Sequence, residues 1–274
     1  MIAAVRRNVV GVIAIIVALV VFIVPFSFIL LTAMKPQQEA SLLQFSWPEQ
    51  FAFFENLVEV VTARDFMLIW AFINSTILTV ASVTLMVVFS AMVGWVLQRR
   101  PSKLNPLINF LVLSGLIIPP AVVPTIWVLQ GLELFGNLPG LILIEVAFGL
   151  SFCVLMFRAF ISTIPRELDE AATIDGAGPL RLFFTVAFPL LKSVIVTIIV
   201  VQSVFVFNDF QNPLYFLPGE PTVQLTLYNF SSQFSTQWNL LFTNILLITI
   251  PPLIMYIFFQ KQIVAGMTSG AVKG

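Results

Sequence analysis

The stretch Ile164-Pro165-Arg166-Glu167-Leu168-Asp169-Glu170-Ala171-Ala172-Thr173-Ile174-Asp175-Gly176-Ala177-Gly178-Pro179 is a charged island between long apolar runs. Its residue types suit docking rather than covalent chemistry. Proline fits the first position of a helix, where its missing N–H would be unpaired anyway, and acids in the first turns are favoured by the macrodipole. The spacing therefore predicts a helix that starts at Pro165 and gathers Glu167, Asp169 and Glu170 near its beginning. Gly176 closes it, because glycine accepts a left-handed backbone without a side-chain penalty. Gly178-Pro179 opens a second short helix in the same way. Leu168, Ala171 and Ala172 share one face at three- and four-residue spacing, and small alanines there let another backbone approach. An ordinary solvated loop helix fits the same spacing.

Two further acids lie in or beside apolar runs, Glu145 and Asp209. An ionised group near the middle of a bilayer costs about 2.5–3.5 kcal/mol or more, so such residues face a cavity or a partner. Asp209 also suits a polar cap at the outer interface. Glu145 fits a substrate contact, a contact to a second subunit, or a place near the headgroups. Redox and metal chemistry are excluded more firmly. The chain has no histidine and one cysteine, Cys153, within an apolar run. That removes intrachain disulfides, His/Cys zinc sites and imidazole catalysis, and no nucleophile constellation supports a membrane enzyme. No G-x-x-x-x-G-K-[ST] loop occurs, so any nucleotide must be bound by another chain.

The elements that position these residues are membrane spans. Of 274 residues, 59% are hydrophobic and 9% charged, with a formal net charge of zero; the mean hydropathy is +1.03. That much apolar surface is solvated by lipid, and no basic footprint for nucleic acid is present. A bilayer core of about 30 Å needs roughly 20 helical residues. Runs at about 9–33, 66–97, 104–129, 138–160, 188–208 and 240–259 meet that length, which predicts an all-α membrane protein with six spans in a single domain over residues 1–274. The first run is too long for a signal-peptide core and reads as a retained span. Arg6, Arg7, Arg99, Arg100, Lys103, Arg158, Arg166, Arg181, Lys192, Lys261 and Lys273 fall at the termini or in alternate loops, opposite only Lys35 and Arg64. By the positive-inside rule both termini are cytoplasmic, as is the loop at 161–187. Pro119, Pro120 and Pro124 in the third run free backbone carbonyls, which predicts a kink facing the bundle interior, either for packing or to line a pathway.

Glu170-Ala171-Ala172, Gly176 three residues on, and Pro189 after a further apolar stretch resemble the signature of the permease subunits of binding-protein-dependent ABC importers, with Val186 and Phe188 in place of the usual Ile and Leu. The resemblance implies a type I ABC importer permease fold in which this bent segment is a cytoplasmic coupling helix. Glu170, Ala171, Ala172, Asp175, Gly176 and Pro189 would then form the ATPase-coupling set. Phe207-Asn208-Asp209-Phe210-Gln211-Asn212-Pro213-Leu214 resembles the family's Trp-Asn-acid-Phe-x-x-Pro-Leu element. Glu55-Asn56-Leu57 and Asn74-Ser75 partly match elements of its carbohydrate branch, without the usual tyrosine.

The ending Gly266-Met267-Thr268-Ser269-Gly270-Ala271-Val272-Lys273-Gly274 is similar to that of MalG-like sugar permeases. By composition alone residues 260–274 would be a frayed terminus. The resemblance instead implies a tail in which Gly270, Lys273 and Gly274 contact the ATPase subunits.

From the resemblance follow the expected partners. They are a MalF-like companion permease, two ATPase subunits that carry ATP and Mg, an extracytoplasmic solute-binding protein, and a carbohydrate. The chain itself would bind no cofactor and reside in the cell membrane. Pro119, Pro120, Glu145, Asn208 and Asp209 are the candidate pathway residues. Alternatives are an importer permease for another small solute, such as a polyol or glycerol phosphate, or a secondary transporter in which Glu145 or Asp209 carries protons. The latter would favour internal repeats, and none is evident.

Overall fold

A computed structural model describes the backbone of residues 2–231 and 236–271 and the side chains of 11–12, 14–231 and 236–261. Twelve α-helices occur in the described chain, with no strand beyond an isolated bridge between Ser231 and Thr236. They are α1 (Ile2–Ala33), α2 (Gln37–Ala40), α3 (Phe53–Arg99), α4 (Asn105–Ile117), α5 (Val122–Gly131), α6 (Leu138–Ile161), α7 (Glu167–Ile174), α8 (Pro179–Leu182), α9 (Phe188–Leu190), α10 (Lys192–Asn208), α11 (Gln211–Phe216) and α12 (Trp238–Ala271). A π turn at Phe183–Ala187 joins α8 to α9.

Among the described residues, four helical stretches are long and apolar enough to cross a membrane: Ala14–Ala33, Phe53–Arg99, Leu138–Ile161 and Trp238–Lys261. A fifth span is possible by composition, but it is bent: Pro179–Leu190 meets Lys192–Asn208 at 76°. The straight helix begins at Lys192, so residues 188–191 and Pro189 belong to the bent arm rather than to the span read from the sequence. The third apolar run is broken. Ile118 is extended at φ −78°, ψ 118°, the conformation favoured before proline, and Pro119-Pro120 separate α4 from α5. Neither half alone has the length of a span. Both prolines and Pro124 are exposed, as are Ile117 at 77% and Ile118 at 67%, so the kink does not face this chain's interior as the sequence reading expected.

The helix α3 is two helices run together. Ala63 is extended, and Arg64, Asp65 and Phe66 are all left-handed, at φ 49°, 55° and 61°. Left-handed side-chain residues cost roughly 1–2 kcal/mol each. The break falls where the sequence reading started its second span, at Phe66. The part before it, expected as loop, is helical. The helix α12 likewise runs on through Ala271, past the end expected for the sixth span, so Gly270 is helical. Lys273 and Gly274 lie outside the described residues.

The chain divides into two compact units, one of residues 1–70 and 225–250, the other of 71–224 and 251–274. In the first, Asn56 is 3% exposed and acts as a clamp. Its amide donates to the carbonyls of Ala33 and Lys35, both at 2.9 Å, and its oxygen accepts from Asn239 at 2.7 Å. Lys35 is buried beside it, donating to the Gln44 carbonyl and the Ser46 hydroxyl and pairing with Glu39 at 3.5 Å. In the second unit α6 is the hub, with α4, α10 and α11 packed on it. Asn137 caps its start by accepting from the Gly140 amide at 2.9 Å. Leu141, Cys153, Phe157 and Ile161 then enter one core with Leu78, Met86, Trp95, Phe183 and Ile198.

Candidate functional site

The charged island folds as a short helix between two turns, all within the second unit. The helix α7 starts at Glu167, two residues later than expected. A start at Pro165 would require the Ile164 carbonyl to accept an amide one turn ahead. That carbonyl accepts from the Arg99 side chain, Nη2 at 2.7 Å. The same guanidinium pairs with Asp169, Nε to Oδ2 2.9 Å, as an ion pair without hydrogen-bond alignment. Gly176 follows at φ +79°, the left-handed closure expected, and its amide and that of Ala177 return to the carbonyls of Thr173 and Ala172. Gly178 and Pro179 then begin α8 as anticipated.

The face of α7 differs from the sequence reading. Ala172 is 9% exposed and joins the core cluster, whereas Leu168 is 41% and Ile174 85% exposed, with Ala171 also open. Residues 169 and 172 define the inward side, because Arg99 holds Asp169 there, and Leu168 is left at the edge of the outward side. Glu170 and Asp175 are exposed, as is Pro189 in α9. The island thus presents an apolar tip with two free carboxylate side chains beside it.

Glu145 and Asp209 come together at a second place. Both line an open cavity of about 670 Å³ with Phe148, Phe152, Gln202, Phe205, Asn208 and Asn212. Glu145 is 6% exposed, and its Oε1 accepts from the Asn212 side chain at 3.0 Å. The Asp209 carboxylate caps α11, accepting from the amides of Gln211 at 3.0 Å and Asn212 at 3.2 Å. Asn208 donates to the Val204 carbonyl and accepts from Gln224. No Lys or Arg is among the lining residues, and Pro119 and Pro120 are absent from them. The wall therefore offers carboxylate and amide groups beside aromatic rings, a set suited to hydroxyl-bearing solutes.

Residues 86–269 match the model of the family described as binding-protein-dependent transport system inner membrane component. The chain belongs to this family. Among its relatives is the melibiose/raffinose/stachyose import permease protein MelC of Bacillus subtilis, 34% identical over 92% of this chain and 91% of that protein. The diacetylchitobiose uptake system permease protein NgcG of Streptomyces coelicolor is 31% identical over 93% and 85%. In fold the chain resembles a chain of a bacterial ABC transporter involved in the import of the acidic polysaccharide alginate, with a TM-score of 0.77, 20% identity and 95% coverage of each. As a member of this family the protein is a multi-pass component of an ABC importer that works with a solute-binding protein, and the type I permease fold fits its helices.

Several residues that organise this permease were not singled out from the sequence. Arg99 entered only as one positive charge among many, Asn212 only as a position inside the Phe207–Leu214 element, and Gln202 not at all. Asn212 could have been found, since it precedes Pro213 inside the Asn208-Asp209 element. The partial carbohydrate-branch matches prove to be structural ties: Asn56 is the clamp described above, Asn74 donates to the Pro221 carbonyl at 3.0 Å, and the Ser75 hydroxyl accepts from the Val223 amide at 3.0 Å.

Proposed function

We propose that this permease carries a neutral sugar or oligosaccharide into the cell, without catalytic chemistry of its own. ATP and Mg would be held by two ATPase subunits, and a companion permease would complete the pathway. The likeness to sugar import permeases along more than nine-tenths of the chain carries the reading. The cavity at Glu145 and Asp209 supports it. Carboxylates and side-chain amides accept and donate to sugar hydroxyls, and aromatic rings cover the apolar faces of a pyranose. The absence of a cation from the lining argues against a phosphorylated solute such as glycerol phosphate.

In this reading Glu170, Ala171, Asp175 and Gly176 of the α7 segment dock on an ATPase subunit, with Leu168 and Ile174 supplying the apolar contact. Ala172 supports the helix from inside, and Pro189 shapes the arm that follows. Gly270, Lys273 and Gly274 would reach the ATPase subunits from the end of the chain. Both termini would lie in the cytoplasm.

The test is reconstitution of the chain with a companion permease, the ATPase subunits and the binding protein in liposomes. Raffinose-type oligosaccharides should accumulate with ATP inside, and hydrolysis should rise with loaded binding protein. Accumulation driven by an ion gradient without ATP would overturn the reading in favour of a secondary transporter.

A further inference from the structure

We propose that Arg99 is a positioning residue for coupling: its guanidinium is the strut by which the docking helix α7 moves the inner end of the span at 71–99. The proposal rests on the reading of α7 as the ATPase-docking helix and adds to it the connection through which that helix acts.

Arg99 is the last residue of α3, and its side chain is only 7% exposed. It reaches the docking segment at two points. One is the carbonyl of Ile164, just beyond the end of α6, at 2.7 Å; the other is Asp169, in the first turn of α7, at 2.9 Å. A planar guanidinium with several donors can hold two acceptors in a fixed relation, which a lysine ammonium on a flexible stem does not do. Among the described residues, Arg99–Asp169 is the ion pair that reaches α7.

The span end that Arg99 belongs to is braced. A Cβ on Gly94 would stand 3.0 Å from the Phe157 Cβ and 3.4 Å from the Arg158 amide nitrogen, so the backbones of α3 and α6 are in close contact there. Trp95 meets Phe183 edge-on at 5.9 Å, and Arg100 lies 5.5 Å over the Trp95 ring. The docking helix, by contrast, buries Ala172 and leaves its tip in the open. A push on that tip reaches the bundle along the chain, through the packing of α7 on α8 and the π turn, and through the Arg99 strut. Of these, the strut is the route that ends on α3 and ties it to two points of the segment.

The experiment uses the full importer, reconstituted with its companion permease, ATPase subunits and loaded binding protein. The variants are Arg99→Gln, Arg99→Lys, Asp169→Asn and the double Arg99→Gln/Asp169→Asn. Four quantities are read on each preparation: thermal midpoint, ATPase subunit retained, ATP hydrolysed and solute taken up. Arg99→Gln should retain the ATPase subunits yet lower uptake per ATP by about tenfold or more, as loss of a charge-assisted contact implies. Arg99→Lys should fall between it and the wild type. The double variant should be no worse than Arg99→Gln, because both changes cut one connection. Unchanged uptake per ATP in Arg99→Gln overturns the proposal. So does parallel loss of ATPase retention and thermal stability, which marks a merely structural residue, and so does additivity in the double. A wild-type importer that shows no ATP-driven uptake defeats the docking reading itself, and is seen before any variant is compared.

Discussion

Asp209 does two things with one carboxylate, capping α11 through two amides while facing the cavity that Glu145 also lines. The two roles separate by substitution. The two amides go to different carboxylate oxygens and asparagine keeps only one acceptor, so Asp209→Asn should lose one cap bond and part of the stability, whereas Asp209→Ala should lose both, at about 1 kcal/mol or more. Both should impair uptake in the assembled importer, because both remove the charge that accepts a hydroxyl. Thermal midpoint and uptake KM on the same preparations check this, and normal KM in both would remove Asp209 from the pathway. Gly176 is a backbone case. At φ +79° with open space around its Cα, a valine meets no neighbour but is strained by roughly 1–2 kcal/mol or more. Gly176→Val should insert normally and lose ATPase retention or uptake. Full retention and uptake would mean that the turn does not aim α7.

Elements in this chain are ended both by local breakers and by conformations that local propensity does not contain. The third apolar run breaks at Pro119-Pro120, and α3 breaks through three left-handed residues at 64–66, at a cost that surrounding structure must offset. The clamp at Asn56 is one source of order in its unit. Its side chain satisfies two carbonyls and one amide; the Ala33 carbonyl keeps the Thr243 hydroxyl, so Asn56→Ala leaves the Lys35 carbonyl and the Asn239 amide without this partner, at about 1–3 kcal/mol each before relaxation. Asn56→Asp should be nearly as harmful, since it keeps the acceptor for Asn239 but loses both donors. The expected readout is a fall of several degrees in thermal midpoint and lower membrane level, with uptake per surviving molecule unchanged. Reduced uptake per molecule at normal stability would give Asn56 a transport role instead.

The whole molecule offers a topology test. With both termini inside, single cysteines at Glu49 and Ser269 in a Cys153→Ala background should label from opposite sides with an impermeant thiol reagent. Cys153 is fully buried in the core and its thiol meets Gln202 of the cavity wall, so uptake by the Cys153→Ala background is measured first as the reference. Labelling of both positions from outside would overturn the orientation. The isolated chain should also hydrolyse no ATP, while the assembled importer should do so with substrate-linked stimulation. Turnover by the purified single chain at a comparable rate would contradict its role as a permease subunit.

Composition and periodicity were enough to establish a helical membrane chain, because runs of about 20 apolar residues have no other stable solvent. The turn-helix segment at 164–179 was legible for the same kind of reason: proline, first-turn acids and glycine act on their own backbone within a few residues. Gly176 and Pro179 therefore fall where the sequence put them. What the sequence did not contain was any side chain's partner. Arg99 reaches the Ile164 carbonyl and Asp169 from the end of another helix, far away in the chain. Asn212 reaches Glu145 across 67 positions. The proline kink, readable as a break, took its outward direction only from the packing of α4 and α6. Local backbone chemistry is written in adjacent residues, whereas a buried carboxylate or guanidinium is defined by whatever the fold brings against it.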